Sequence, residues 1–196
     1  MRISTWILAA GLVSALCGAR AEAATIFDTT LLGINEVPPN TSNATGSTHV
    51  EIVGNLMTVE VEWFDLEGGL PAAAHIHCCT AEGTNVGVAV GFPNFPALLS
   101  GTYDHVFDLL DPTIYTANFL NDFGGGTAAG AQAALIAGLE AERAYSNIHN
   151  AVYQGGEIRG QLSEVVPEVP EPTSLLLLGS GIAGLALRSR RQHRQR

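Results

Sequence analysis

Between Leu56 and Phe64 the side chains alternate strictly, Met57, Val59, Val61 and Trp63 against Thr58, Glu60 and Glu62. In an extended chain successive side chains point to opposite faces, so this pattern demands a strand with one dry face and one wet face. The paired carboxylates Glu60 and Glu62 then mark the solvated face. A lone two-faced strand is not stable in water, and the rest of the chain must cover the apolar side. His49 to Val53 supplies a first neighbour through a hairpin at Gly54-Asn55, a dipeptide suited to tight turns. Further short runs read as strands at Thr25 to Leu32, around Ala74 to Cys79, at Val86 to Phe92 and at Gly101 to Leu109. Ala144 to Ile148 and Glu157 to Leu162 close the set as a hairpin across Tyr153 to Gly156. Asn40 to Ser47 reads as a polar loop, and the prolines of Glu36-Val37-Pro38-Pro39 favour an extended edge. Only Thr127 to Arg143 departs from the β pattern: it is rich in Ala, Leu and Glu, free of proline, and sets Leu135, Ile136 and Leu139 on one helical face. The expectation is an all-β domain, a Greek-key sandwich or barrel with one inserted helix.

The two ends follow other rules. Met1-Arg2, an apolar run from Ile3 to Leu16 and the small-residue pattern Ala21-Glu22-Ala23 form a secretory signal peptide over residues 1–23, cut before Ala24. At the other end Val169-Pro170-Glu171-Pro172 precedes an apolar run from Ser174 to Leu187 and a block of five arginines ending at Arg196. The run is short for a membrane-spanning helix, and the arginines hold its end on the cytoplasmic side. This tail resembles the PEP-CTERM sorting signal of exported bacterial proteins. The resemblance implies processing by an exosortase-type enzyme near Pro170, Glu171 and Pro172 and release to the cell surface or extracellular matrix. The organisation expected is signal peptide 1–23, β-domain 24–164, linker 165–172 and sorting tail 173–196, with membrane contact only through the C-terminal helix before processing.

Between Ala24 and Pro172 the chain has 18 acidic residues against Arg143 and Arg159, a net charge of −16. Nucleic acid and anionic membranes are thereby excluded as partners. There is no lysine anywhere, so Gly124-Gly125-Gly126 is not a Walker-type phosphate loop.

Chemistry concentrates in Ala74-His75-Ile76-His77-Cys78-Cys79. On a strand His75, His77 and Cys79 share one face, and two imidazoles two residues apart form a bidentate grip for a metal. Cys78 and Cys79, once Cys17 has left with the signal peptide, have no third cysteine to pair with. A vicinal disulfide, free thiols, soft metal ligands and an intermolecular link all remain open for them. Glu157 and Arg159 lie two apart on one strand face and can form an ion pair that pins the last hairpin.

Four segments in order resemble the chordin-type CHRD domain: Leu32 to Pro39, Ala74 to His77, Tyr145 to His149 and Gly155 to Leu162. The resemblance implies an extracellular β-domain with no assigned activity, acting by binding or structural display, with matrix components as its partners. The His-x-His strand, the distant His149 and Gly155-Gly156 followed by Arg159 also resemble copper/zinc superoxide dismutase. That likeness implies copper ligands at His75, His77 and His149, an anion-guiding role for Arg159, and a match of His105 to Leu109 to part of a zinc-binding segment. No histidine lies between His77 and His105 to bridge two metals. The alternative to binding or display is therefore a copper-binding redox protein, with copper or zinc as the candidate metal and Cys79 as a further soft ligand that would favour copper(I).

Overall fold

A computed structural model describes residues 22–166. The signal peptide, the sorting motif and the apolar C-terminal run expected from the sequence lie outside the described residues. Within them, no helix is long and apolar enough to cross a membrane.

The alternating run is β3 (Leu56–Phe64), and its apolar set is buried while Glu60 and Glu62 are exposed. It pairs along its whole length with β2 (Thr45–Val53), which in turn pairs with β1 (Thr25–Leu32). β2 begins inside the segment expected to be a polar loop. Gly46 and Thr48 face inward there, and the Thr48 hydroxyl donates to Ser146 Oγ at 2.9 Å across the interior. The hydroxyl's partner is distant in sequence, so local polarity suggested a loop. The remaining strands are β4 (Pro71–Cys78), β5 (Val88–Gly91), β6 (Gly101–Asp108), β7 (Ala144–Asn150), β8 (Ile158–Gln161) and the two-residue β9 (Ser163–Glu164).

All nine belong to one antiparallel sheet in the order β5-β4-β7-β8-β1-β2-β3-β6, with β9 beside β1. The sheet is neither a two-sheet sandwich nor a closed barrel. It curls into a half-barrel whose end strands, β5 and β6, are not hydrogen-bonded to each other. Rings fill that gap: Phe92, just past β5, lies 5.3 Å from Tyr103 and 6.3 Å from Phe107 of β6, centroid to centroid. The core, with Trp63, Phe27, Met57, Ile76 and Ile148 fully buried, occupies the concave side.

The expected helix is α2 (Ala128–Glu140), capped by the Thr127 hydroxyl, which accepts from the Gly130 amide at 3.1 Å. Leu135 and Leu139 are fully buried, with Ile136 at the margin. A shorter α1 (Ala117–Asp122) precedes it, with the Thr116 hydroxyl as its cap. Gly125 and Gly126, at φ 59° and 78°, make the left-handed turn between the two. Glu36 to Pro39 is a loop after a single 3-10 turn (Gly33–Asn35) rather than an extended edge strand. That turn sends the Glu36 side chain toward Asn147 of β7, where it is almost wholly buried.

Candidate metal centre

On β4, Ala74, Ile76 and Cys78 enter the core, so His75 and His77 project from the convex face. β7 lies beside β4 in a register that opposes Ala73 to His149, His75 to Asn147 and His77 to Tyr145. By the same alternation Tyr145, Asn147 and His149 share the convex face with the two histidines. Residues 72 apart in the chain thus become neighbours. One ring nitrogen from each of His75, His77 and His149 lies within 4.8 Å of the others.

The convex face is roofed by loops, and the loops orient the rings. His77 Nδ1 is 2.7 Å from the Val86 carbonyl, and His149 Nδ1 is 2.9 Å from the Gln154 carbonyl. A carbonyl can only accept, so each Nδ1 carries the proton and each Nε2 keeps its lone pair. Those Nε2 atoms, together with Nδ1 of His75, are buried and have no hydrogen-bond partner among the described residues. Burial, with the neighbouring His149 and His77, pushes His75 down to about 4. Burial also pushes His77 down to about 4, outweighing its bond to Val86, with His149 and Arg159 acting in the same sense. His149 is lowered by burial as well. Three neutral imidazoles, each with an unpartnered nitrogen and two of them held by backbone carbonyls on the far side of the ring, are a donor set for a transition metal.

Behind His77 stands a stack. The Tyr145 ring lies 4.5 Å from it at an interplanar angle of 4°, and the Arg159 guanidinium sits 3.4 Å above the other ring centre. Arg159 is only 2% exposed and donates to Asn85 Oδ1 at 2.8 Å and to the Thr84 carbonyl at 2.9 Å. Nearby, Glu36 is pushed up to about 7 by burial, against the opposing pull of Arg159.

The other predicted site residues are placed differently. Glu157 and Arg159 form no ion pair: the one salt bridge among the described residues joins His49 and Asp28. Glu157 is completely buried and accepts from Ser42 Oγ and the Glu67 amide, both at 2.6 Å, from the Gly68 amide and from Asn150 Nδ2. The carboxylate turns toward the β3–β4 connection and the guanidinium toward the β4–β5 connection, so each pins a different loop. Cys79 is not part of the histidine group. The strand ends at Cys78, beyond which the period of two no longer applies, and the Cys78–Cys79 peptide is cis with the two sulfurs joined in a vicinal disulfide. A sulfur in that bond offers no thiolate, so the soft fourth ligand expected at Cys79 is absent. His105 lies on the concave side of β6, edge-on to Phe107 at 4.5 Å, apart from the three-histidine group.

Sequence reasoning missed Tyr145, Asn147, Glu36 and the two carbonyls at Val86 and Gln154. Alternation along Tyr145 to His149 was a usable signal for the first two. The carbonyls left none, because any residue has one.

Fold and site together define a mostly-β domain with an orienting shell around a tri-histidine cluster. A model of the CHRD domain matches residues 27–162, more than half of the chain, and the protein belongs to that family. The PEP-CTERM protein-sorting motif matches residues 168–191, which marks an exported protein handled by an exosortase-type system. No curated protein and no solved structure matches the chain.

Proposed function

We propose that this CHRD-domain protein is displayed at the cell surface or in the extracellular matrix, and that it binds there one copper or zinc ion through His75, His77 and His149. The observation that carries the reading is a cluster of three imidazoles in which one ring nitrogen of each lies within 4.8 Å of the others and one buried nitrogen of each has no hydrogen-bond partner among the described residues. Buried polar atoms are ordinarily satisfied, and three orphans in one histidine cluster share one economical explanation in a metal ion. Neutral imidazoles suit copper and zinc, and three of them leave a fourth position open for water or a ligand. The CHRD match supports an extracellular binding domain, and the sorting motif supports a precursor held by its C-terminal helix until it is processed. In this reading Arg159 has a structural role, since its guanidinium stacks on Tyr145 and bonds to the loop at Thr84 and Asn85.

Titration of the secreted protein with copper(II) and zinc(II) tests the reading, beside His75→Ala, His77→Ala and His149→Ala. One ion per chain is expected for the unaltered protein. Each substitution should weaken binding by more than about a hundredfold, because two imidazoles no longer enclose the ion. Equal binding by all four proteins would remove the site and leave a surface domain that acts by display alone.

A further inference from the structure

Over the ring-filled seam of the half-barrel lies an open groove of about 730 Å³, between β4 and β5 on one side and β6 on the other. His75 stands at its edge, and Phe92, Phe95, His105, Phe107 and Tyr115 contribute the rings of its wall. Ring contacts continue behind the wall: Phe95 is 5.2 Å from Tyr103 and stacks on Trp63 at 4.4 Å. The volume suits a small molecule rather than a peptide segment.

The wall's charge narrows the ligand further. The chain from Ala24 to Pro172 carries a net charge of −16, yet neither a carboxylate nor an arginine lines this groove. An anion would meet the repulsive field of the surrounding surface without a compensating cation. A cation would find no carboxylate in the wall. The polar groups present, the imidazoles of His75 and His105 with Asn94 and the nearby threonines, are hydrogen-bonding groups suited to a neutral partner. Phe92 packs against both Phe95 and Phe107 at 6.3 Å, and this aromatic floor favours a flat ring laid over it, which gains offset or edge-to-face contact beyond simple burial.

We propose that the seam is a binding site for a small neutral aromatic ligand bearing a hydroxyl, of the phenol class. The ring lies over the packed floor that Phe92, Phe95 and Phe107 form, and the hydroxyl is recognised by the His105 imidazole. This site needs no metal, although His75 belongs both to its edge and to the histidine cluster.

The test is calorimetric titration of the metal-free secreted protein with p-cresol, toluene, cyclohexanol and benzoate. Trp63 emission is followed in parallel, because Phe95 stacks on that indole. Saturable binding of p-cresol with a change in Trp63 emission is expected, about tenfold tighter than toluene for the added hydrogen bond. Cyclohexanol and benzoate should both bind more weakly than p-cresol. In His105→Phe the preference for p-cresol over toluene should collapse to about onefold, since the recognising group is gone. The absence of saturable p-cresol binding would overturn the proposal. So would cyclohexanol or benzoate binding as tightly as p-cresol, and neither of these comparisons depends on the variant folding. A folded His105→Phe protein that retained the preference would refute the role of His105. Because the measurement is made without metal, its failure and the failure of metal binding are separate results.

Discussion

At His75 and His77 burial and the neighbouring imidazoles act in one direction, holding both rings neutral down to about pH 4. In the unfolded chain the same rings would take up protons near their ordinary value of 6.5. Over that interval the unfolded state binds more protons, so their contribution to stability is complete above 6.5 and is lost as pH falls toward 4. Glu36 has the opposite sign. Its folded value of about 7 lies above its ordinary 4.5, so the unfolded state gives up its proton first and stability is lost as pH rises through that window. Denaturant midpoints of the metal-free protein should therefore pass through a maximum inside the weakly acidic range. Glu36→Gln, which mimics the neutral acid, should stabilise the protein above pH 7 by about 1–3 kcal/mol and change little below 4.5. An unchanged alkaline limb in Glu36→Gln would contradict this account. The same lowering means that protons compete with a metal at His75 and His77 only near pH 4, not near the 6.5 that unperturbed imidazoles imply.

Among the elements, α2 shows a contest between propensity and packing. A glycine inside a helix costs roughly 1 kcal/mol against alanine, so Gly138→Ala would stabilise an isolated α2. In the folded protein Gly138 faces the paired sulfurs of Cys78 and Cys79, and a Cβ there would run into both. Sulfurs tied to the end of β4 cannot swing away like the tip of a long side chain. Overpacking of this kind costs typically about 1–3 kcal/mol. Gly138→Ala should therefore destabilise the protein, read as a lowered thermal midpoint, while Ala133→Gly would weaken the helix by propensity alone, since Ala133 is exposed. A raised midpoint for Gly138→Ala would show that the helix can shift off the sulfurs.

For the whole molecule, the sorting signals and the folded domain set separate expectations. Signal removal before Ala24 and cleavage near Pro170-Glu171-Pro172 would leave a chain that carries −16, no lysine and only two arginines. Intact mass of the secreted protein should correspond to those two cuts, with one disulfide inside the chain and no crosslink to a second. Full-length chain with its arginine tail recovered from the medium would refute the processing. A mass twice that size without reductant would refute the monomer.

What could be read in the residues was whatever depends on near neighbours. The alternation of Met57 to Trp63 determined β3 and its solvated carboxylates, because the faces of a strand differ at a spacing of two. Thr25–Leu32 matched β1 to the residue, and the motif content of both the domain and the tail was legible without coordinates. His75 and His77 were marked as a pair by the same spacing. What the tertiary structure alone decided depends on register and closure. Whether the sheet becomes a sandwich, a barrel or a half-barrel turns on which edges meet, and β5 and β6 meet through rings rather than backbone bonds. The orienting carbonyls of Val86 and Gln154, the divergence of Glu157 from Arg159 and the exclusion of Cys79 from the histidine group lie beyond any local pattern. Each is set by loops that pack over the sheet, and a loop's path follows from what it covers more than from its own sequence.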